Sequence, residues 1–442
     1  MTAAPMFDRE VETQPWNEQQ PVDEPLYRAQ VTLLLQKSRF YRDKLGAAGI
    51  RDATDAGGLS DIARLPLTEK DELRASRTPA EPVGTHLIPP LADVVRIFST
   101  SGTTGTPSYV PLTAEDVADW VRISSRTYTA PGVVRGDRLV STYNAGPFVA
   151  GVTNDTFNQL GITHIPVGGS NTDRLVAAVQ LLKASTVVLT PSYAQHVVEW
   201  ATERGVDLAR SSVERVMVAG EPGGGEPATR ARLETAWGAE VTEAMGIGDI
   251  CVSLWGECRE KQGMHFSGRG FVHIELIDPE TGAPVPMRDG AEGELVYTHL
   301  RHRAAPLLRF RSRDHVVMWT SVCACGRTAP RVRCIGRTDD MLIVRGVNIF
   351  PTAIREIVNE FSPLVSGAIV VRPRTRGIRQ DPPLSVAVEL SENTAADSAL
   401  AERIRTRLRE KLTVATAIEL VPFNSLPRSS YKSKLVDRSQ AT

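Results

Sequence analysis

The pattern of apolar and polar positions along the chain predicts two kinds of sheet. From about residue 137 to 237, short β-branched runs alternate with helical segments, which is typical of a largely parallel sheet covered by helices. The strands predicted there are 138–143, 186–189 and 216–218, and the helices are 175–183 and 227–237. After Gly270, apolar and polar residues alternate in 272–276 and 294–297, as they do in antiparallel strands.

The two ends of the chain have patterns of their own. Residues 1–24 are polar and contain proline, which predicts a loosely held arm, and a helix follows through 26–35. Thr68 and Thr113 each stand three residues before an aspartate, which predicts that they cap helices. Beyond residue 336 the predicted order is strand, helix, strand, strand, helix, strand, at 341–344, 353–361, 368–371, 384–390, 396–412 and 418–421.

These patterns predict an α/β protein of two domains. The large N-terminal domain, residues 25–336, is expected to contain mixed or parallel sheets, helices and an antiparallel β portion. The small C-terminal domain, residues 337–442, is expected to be α+β and is of ordinary domain size. The total of 442 residues is enough for both.

Composition and charge exclude several classes of partner. The net charge is −1, so no overall field attracts nucleic acid or an anionic membrane. No apolar run approaches the roughly 20 residues that span a bilayer, and the first residues lack the basic and apolar regions of a signal peptide. We therefore expect a cytoplasmic protein whose partners are neither nucleic acid nor membrane.

A loop rich in hydroxyl groups and glycine follows the apolar run at 94–98. It consists of Ser101, Gly102, Thr103, Thr104, Gly105 and Thr106. Small residues let the backbone approach an anion closely, and hydroxyl and turn N–H groups can donate hydrogen bonds to phosphate oxygens. The loop therefore favours a nucleoside triphosphate site, with a plain surface loop as the alternative.

Five further motifs follow this loop in a characteristic order. They are Gly220-Glu221-Pro222 and the segments 245–249, 309–314, 336–351 and 426–432. In this order the motifs resemble those of the adenylate-forming superfamily, and most closely its phenylacetate–CoA ligase branch, of which 190–193 and 343–348 are especially typical. The resemblance covers nearly the whole chain, from about Pro15 to Asp437.

The resemblance implies a reaction in two halves. A carboxylate attacks the α-phosphorus of ATP, giving an acyl-adenylate and pyrophosphate, and a thiol, usually that of coenzyme A, then attacks the acyl carbon and expels AMP. The small domain is expected to be mobile, rotating between the halves about a hinge near Asp339. Both steps depend mainly on positioning and charge stabilisation, and Mg²⁺ is the expected metal.

The resemblance also implies roles for individual residues. The loop from Ser101 to Thr106 would hold the β- and γ-phosphates, Lys432 would be the adenylation lysine with Lys434 as a rival, and Asp249 would bind Mg²⁺. The other expected nucleotide-binding residues are Gly220, Glu221, Pro222, Met245, Gly246, Asp314 and Arg337. The substrate pocket would include Tyr143, Ala145, Phe148, Tyr193 and Gly246, and the coenzyme A tunnel Gly346, Val347 and Asn348.

Several residues depart from the family pattern at the phosphate end of the site. Thr106 stands where the family commonly has a lysine, so another cation is expected to compensate for it. Asp249 stands where the family has a glutamate, Gly248 replaces a serine or threonine, and Met245 replaces an aromatic residue. In the acid pocket, Ala145 replaces a bulkier aromatic residue, which predicts a roomier pocket.

The cysteines predict a metal site and not a disulfide framework. There are five, an odd number in a chain without a secretory signal. Cys258, His265, Cys323 and Cys325 offer three thiols and one imidazole, the ligand set of a closed structural zinc site, and some members of the branch have similar residues. The alternative is four reduced side chains with no metal.

We predict an ATP-dependent ligase that joins an aromatic or related carboxylic acid to coenzyme A. A second hypothesis keeps adenylation but delivers the acyl group to a carrier-protein thiol or an amine, or activates an unusual nucleophile. A third, motivated by Thr106, Gly248 and Asp249, is a degenerate nucleotide-binding scaffold without activity. The sequence leaves both a carrier-protein partner and a homodimer open.

Overall fold

The computed structural model describes residues 4–99, 108–142, 149–168, 171–345, 347–427 and 435–441. The chain divides into two compact units. Unit 1 contains Met1–Val188 and Thr242–Arg333, and unit 2 contains Leu189–Val241 and Cys334–Thr442. The C-terminal division lies close to the predicted boundary at 336, but unit 2 also includes residues 189–241, which we had placed with the large domain.

The described residues form the following regular elements. The helices are α1 (Arg9–Thr13), α2 (Gln19–Lys37), α3 (Arg39–Ala47), α4 (Lys70–Ala75), α5 (Ala114–Thr129), α6 (Val152–Leu160), α7 (Thr172–Leu182), α8 (Pro191–Glu203), α9 (Pro227–Trp237), α10 (Pro351–Asn359) and α11 (Ser398–Leu412). The strands are β1 (Arg96–Ser99), β2 (Tyr109–Leu112), β3 (Arg138–Ser141), β4 (Thr163–Pro166), β5 (Thr186–Leu189), β6 (Arg215–Ala219), β7 (Glu240–Ile247), β8 (Cys251–Glu257), β9 (Met264–Phe266), β10 (Val272–Ile277), β11 (Ala291–His299), β12 (Phe310–Trp319), β13 (Arg331–Arg337), β14 (Leu342–Val344), β15 (Val347–Ile349), β16 (Val365–Arg372), β17 (Arg379–Gln380), β18 (Leu384–Leu390) and β19 (Thr416–Val421).

The strands of unit 1, apart from the hairpin of β1 and β2, belong to a large mixed sheet. β3 pairs in parallel with both β4 and β5, and α6 and α7 connect these strands. The alternating pattern predicts β3, α7 and β5 but not α6 or β4. β5 is buried along its whole length, which explains its unbroken apolar run. The α/β class is confirmed for this part of the chain.

The antiparallel portion of unit 1 is also confirmed. β10, β11 and β12 pair antiparallel in chain order, and β7, β8 and β9 do the same. Trp255 and Tyr297 are fully buried in this portion, and the indole N–H donates to the tyrosine oxygen at 2.8 Å. Large aromatic side chains are stable in a core when their polar atom has such a partner.

Residues 4–24 are not the loosely held arm that their polarity predicts. They contain α1 and the start of α2, and the polar side chains of Glu12, Gln19 and Asp23 are buried. The physical reason is that buried arginines elsewhere in unit 1, Arg269 and Arg327, donate hydrogen bonds to this segment. Buried polar groups are stable in a fold when they have such hydrogen-bond partners.

One of the two predicted helix caps is correct. Thr113 caps α5, where its hydroxyl accepts a hydrogen bond from the N–H of Asp116 at 3.2 Å. Thr68 does not cap α4, which begins one residue later than predicted, after Glu69. The N–H of Glu69 donates to the carboxylate of Glu72 at 2.7 Å, and Thr68 instead donates its hydroxyl to the Leu308 carbonyl at 2.6 Å.

The C-terminal part of unit 2 contains the predicted strands and helices in the predicted order, together with two short strands, β15 and β17, that were not predicted. β14 pairs with β15 and β17, and β18 lies between β16 and β19. The apolar faces of α10 and α11 pack with these strands around a core that includes Leu342, Ile354, Val386, Ile404 and Leu408. Among the described helices, none is long and apolar enough to cross a bilayer.

Candidate active site

A short extended segment that ends at the start of α4 forms one wall of the candidate site in unit 1. The N–H of Thr68 donates to the Arg309 carbonyl at 2.8 Å, and the N–H of Arg311 donates to the Thr68 carbonyl at 3.0 Å. The segment therefore runs parallel to the beginning of β12. This pairing fixes the positions of the two side chains that follow, Glu69 and Lys70.

Lys70 forms an ion pair with the predicted magnesium ligand. Its Nζ lies 2.7 Å from Oδ2 of Asp249, in the turn between β7 and β8, and the Asp249 side chain is only 10% exposed. Because a nearly buried carboxylate is costly without a positive partner, this contact stabilises the turn. Sequence reasoning missed Lys70, although it expected a cation to compensate for Thr106.

Gly246 is the residue that lets β7 pass close to β8. A Cβ atom at this position would lie 1.7 Å from the carbonyl oxygen of Val252, a distance that no side chain can tolerate. The pairing of β7 with β8 also shifts register between Met245 and Ile247. Met245 and Gly246 are thus held in the same irregular strand end that leads to Asp249.

Two arginines beside Asp314 are held by carboxylates. Arg311 donates from Nε and Nη2 to the two oxygens of the fully buried Glu294, each at 2.8 Å. Arg313 donates to Glu69 at 2.6 Å and has a left-handed backbone, with φ at +67°. Left-handed arginines are uncommon, and such conformations cluster at functional sites. Glu69 and Lys70 thus link the Asp314 strand to the Asp249 turn.

A cavity lies beside Asp249 in unit 1. Its lining includes Arg77, His86, Tyr109 and His302. Burial lowers the pKa of His86 to about 4; the charge of Arg77 also lowers it, and the charge of Asp249 opposes the shift. His86 is therefore uncharged at neutral pH, whereas Lys70 forms an ion pair with Asp249 and Arg77 lines the same cavity.

The shifted pKa of His86 predicts that acid destabilises the fold. Between pH 6.5 and 4 the unfolded chain binds a proton at this position that the folded chain does not, so stability is present above pH 6.5 and is lost as the pH falls towards 4. At pH 5 the loss is about 2 kcal/mol for this one histidine.

Urea unfolding of the wild type and of His86→Asn at pH 7.5 and pH 5 measures this contribution. We expect the substitution to reduce the pH-dependent loss of stability by about 2 kcal/mol. The buried His299, whose pKa is lowered to about 3, accounts for part of the pH-dependent loss of stability that remains in this variant. His196→Asn, at an exposed histidine, is the matched control. An equal pH dependence in the wild type and His86→Asn would contradict the prediction.

The predicted adenine-flanking turn in unit 2 is held at the start of α8. Gly220 has a φ of +94°, which glycine adopts without strain. The carboxylate of Glu221 accepts a hydrogen bond from the N–H of Ser192 at 2.8 Å. Tyr193, one residue further, is buried and stacks on His196 with ring centres 5.8 Å apart. Unit 2 thus brings Tyr193 close to the turn.

An arginine that sequence reasoning missed fixes the other side of this turn. Arg355, on α10, donates to the carbonyl of Pro222 and to Glu226, each at 2.7 Å. Its guanidinium also lies 3.1 Å from the point that a Cβ on Gly223 would occupy. Arg355 had no clear sequence signal, because its helix neighbours Thr352 and Asn359 are polar as well.

The predicted hinge residues in unit 2 contact each other. Arg337 donates from Nε and Nη2 to the two carboxylate oxygens of Asp339 at 2.9 and 2.8 Å, and both side chains are largely exposed. Val347 and Asn348 lie on β15, where Asn348 is exposed and Val347 packs on the unit 2 core. Asn348 is thus the better placed of the two to contact a ligand.

The four predicted metal ligands lie together in unit 1. The ligand atoms of Cys258, His265, Cys323 and Cys325 are all within 4.8 Å of one another. Sγ of Cys258 is 3.8 Å from Sγ of Cys323, and Sγ of Cys325 is 3.5 Å from Nε2 of His265. A tetrahedral zinc centre separates neighbouring ligand atoms by about 3.8 Å for two sulfurs and about 3.6 Å for sulfur and nitrogen. The donor set and its spacing therefore fit zinc.

Several predicted site residues lie outside the described part of the chain. They are Ser101, Gly102, Thr103, Thr104, Gly105, Thr106, Tyr143, Ala145, Phe148, Gly346 and Lys432. Their roles remain predictions from the sequence.

Comparison with known proteins identifies the family. The family model for AMP-binding enzymes matches residues 22–299, and the model for the C-terminal domain of AMP-binding enzymes matches residues 346–438. The chain belongs to the AMP-binding enzyme family. This confirms the adenylate-forming superfamily that the motifs predicted.

Similar proteins also confirm the predicted branch. The phenylacetate-coenzyme A ligase of Thermus thermophilus is 32% identical over 443 residues, which cover 96% of this chain and 97% of that protein. The Escherichia coli K12 phenylacetate-coenzyme A ligase is 30% identical over 404 residues, 89% of each chain. Among solved structures, a 2-hydroxyisobutyryl-CoA ligase in the postadenylation state has a TM-score of 0.88 at 27% identity, covering 98% of this chain and 92% of that one.

Proposed function

We propose that this AMP-binding enzyme activates an aromatic or related carboxylic acid with ATP and transfers the acyl group to coenzyme A. The observation that carries this proposal is similarity over almost the whole length of both chains to the Thermus thermophilus phenylacetate-coenzyme A ligase. The solved 2-hydroxyisobutyryl-CoA ligase, bound to an acyl-AMP, supports the same two-step chemistry.

The first step, formation of the acyl-adenylate, depends mainly on the stabilisation of negative charge. The polyphosphate of ATP carries negative charge that increases on the leaving pyrophosphate, and fixed cations and donors lower the barrier. In our proposal the loop Ser101–Thr106 and Lys432 hold the phosphates, and Asp249 binds the Mg²⁺ that neutralises them. Lys70, 2.7 Å from Asp249, supplies the cation that the loop lacks at Thr106.

The remaining roles concern recognition. Gly220, Glu221 and Pro222 flank the adenine and Asp314 accepts the ribose hydroxyls, because a carboxylate is an acceptor suited to a diol. Arg337 binds the nucleotide from the side of the hinge, and the small domain rotates about Asp339. Gly346, Val347 and Asn348 line the path of the coenzyme A thiol, and the acid is bound near Tyr143, Ala145, Phe148, Tyr193 and Gly246.

We also propose that Cys258, His265, Cys323 and Cys325 bind a structural zinc ion. Such a site stabilises a fold and takes no part in the reaction, because all four positions around the metal are filled by protein ligands. Bound there, the metal would tie the end of β8 and the β9 strand to the loop that carries Cys323 and Cys325. Metal analysis of the purified protein is the direct test.

Pyrophosphate release across a panel of acids tests the catalytic proposal. The panel contains arylacetates, benzoates and short branched hydroxy acids, each assayed with and without coenzyme A and against a control without acid. We expect acid-dependent pyrophosphate release for one class, with AMP and the acyl thioester formed in the presence of coenzyme A.

Two other results would contradict the proposal in different ways. Pyrophosphate release without thioester formation would show another acceptor, such as a carrier-protein thiol or an amine. Binding of ATP without pyrophosphate release for any acid would favour the inactive scaffold.

A further inference from the structure

Residues 5–19, here called the N-terminal segment, are held by arginines on the loops that carry the proposed zinc ligands. Arg269 follows His265 by four residues, and Arg327 follows Cys325 by two. Both arginine residues are only 2% exposed. The loops that the metal would tie together are therefore the loops on which the N-terminal segment rests.

Arg269 binds the N-terminal segment mainly through backbone carbonyl groups of the segment. It donates to the carbonyls of Val11 and Gln14, each at 2.8 Å, and to the side chain of Gln19 at 2.7 Å. Trp16 adds an edge-to-face contact with Phe266, the residue next to His265, with ring centres 6.1 Å apart. These contacts dock the segment against the end of β9 and the loop that follows it.

Arg327 connects the segment directly to a metal ligand. Its Nε donates to Glu12 at 2.7 Å, its Nη2 donates to the carbonyl of Pro5 at 2.7 Å, and its Nη1 lies 3.7 Å from Sγ of Cys325. One buried guanidinium thus has a carboxylate of the segment at one end and a cysteine sulfur of the cluster at the other.

The metal would fix the position of this connection. A zinc ion would hold the Cys325 sulfur in place against Nη1 of Arg327, and groups that contact a metal ligand in this way orient it. Without the metal the Cys325 side chain is no longer held against the guanidinium. The buried side chain that binds Glu12 and Pro5 then loses a fixed neighbour, so the segment is held less firmly.

We propose that Arg327 couples occupancy of the zinc site to docking of the N-terminal segment. It is a positioning residue: it orients the Cys325 thiolate with one N–H group and holds Glu12 and Pro5 with the others. Because coupling free energies are reciprocal, zinc tightens the docking of the segment and the docked segment tightens the binding of zinc. This inference rests on the zinc site proposed above.

Hydrogen–deuterium exchange and zinc-release measurements on the full-length protein test the coupling. Removal of zinc with a chelator is expected to speed amide exchange in residues 5–19. Arg327→Ala is expected to weaken zinc binding by about 10- to 100-fold, the usual effect of losing a group that supports a metal ligand. Zinc affinity is measured by competition with a chelating dye.

Two further variants keep the test decisive. Glu12→Gln removes the charged partner of Arg327 without touching the cluster, and we expect it too to weaken zinc binding, which tests the coupling if Arg327→Ala does not fold. Arg39→Ala is the matched control: it removes an exposed ion pair with Glu81, outside the N-terminal segment, and it should leave the zinc affinity unchanged.

The possible failures are distinguishable. Absence of zinc from the wild-type protein would overturn both the zinc site and the coupling. Zinc present with unchanged exchange in residues 5–19 after its removal, or wild-type zinc affinity in Glu12→Gln and Arg327→Ala, would overturn the coupling alone. None of these outcomes depends on the ligase activity.

Discussion

Asp249→Asn is expected to raise the Mg²⁺ concentration for half-maximal pyrophosphate release by at least about tenfold, because a hard divalent cation loses its anionic ligand. The substitution keeps the size of the side chain, so the turn between β7 and β8 should persist. We also expect kcat/KM for ATP to fall by about 10²- to 10³-fold at fixed Mg²⁺, the usual effect of removing a charge-stabilising group. Initial rates over a Mg²⁺ titration measure both effects.

Lys70→Met distinguishes a role of Asp249 in binding Mg²⁺ from a purely structural role in the ion pair with Lys70. Lys70 lies 2.7 Å from Asp249, so its loss leaves the carboxylate more available to a metal. We expect weaker ATP binding, because a cation near the phosphates is gone, together with an unchanged or lower Mg²⁺ requirement. The two substitutions therefore shift the Mg²⁺ dependence in different directions.

The matched control is Lys44→Met, which removes a similar ion pair, with Glu72, from the same region of unit 1. It should change neither the Mg²⁺ requirement nor kcat/KM for ATP. If Asp249→Asn and Lys70→Met raised the Mg²⁺ requirement equally, the pair would serve only to hold the turn, and Asp249 would not be the metal ligand.

Some of the strands and helices could be predicted from the sequence because their signals are local. The fully buried β5 and the alternating β10 and β11 each carry their pattern within a few residues. The start of α4 could not be placed as well, since Thr68 has the residue type of a cap but forms its hydrogen bonds with residues 308–311, at and just before the start of β12 and about 240 positions away. A long-range backbone pairing thus overrode a local preference.

The residues of the candidate site likewise divide into those with a signal in the sequence and those that only the tertiary fold identifies. The cluster of proposed zinc ligands was predictable because cysteine and histidine have few other reasons to cluster, and the structure places all four together. Lys70 and Arg355 were not, because surface helices contain many lysines and arginines and only the tertiary fold shows which of them face Asp249 or the Pro222 carbonyl. The N-terminal segment was misjudged for a related reason: its buried partners come from distant arginines.

Lys432→Ala is expected to separate the two half-reactions. The ammonium group is a flexible point charge that neutralises negative charge as the acyl group displaces pyrophosphate, so its loss should slow adenylation by about 10²- to 10³-fold or more. The thioester step releases AMP from a preformed acyl-adenylate and needs no charge at that point. We therefore expect Lys432→Ala to form the thioester at a near wild-type rate from a supplied acyl-adenylate and coenzyme A.

Lys434→Ala is the matched control for this experiment, because it removes the same charge two residues away. Pyrophosphate release measures the first half-reaction and thioester formation from the supplied adenylate measures the second, so a general loss of folding would lower both. Unchanged adenylation in Lys432→Ala would remove that residue from the mechanism. If the loss appeared in Lys434→Ala instead, the role would pass to Lys434, and the Tyr431-Lys432 pair would not correspond to the Gly-Lys pair of the family.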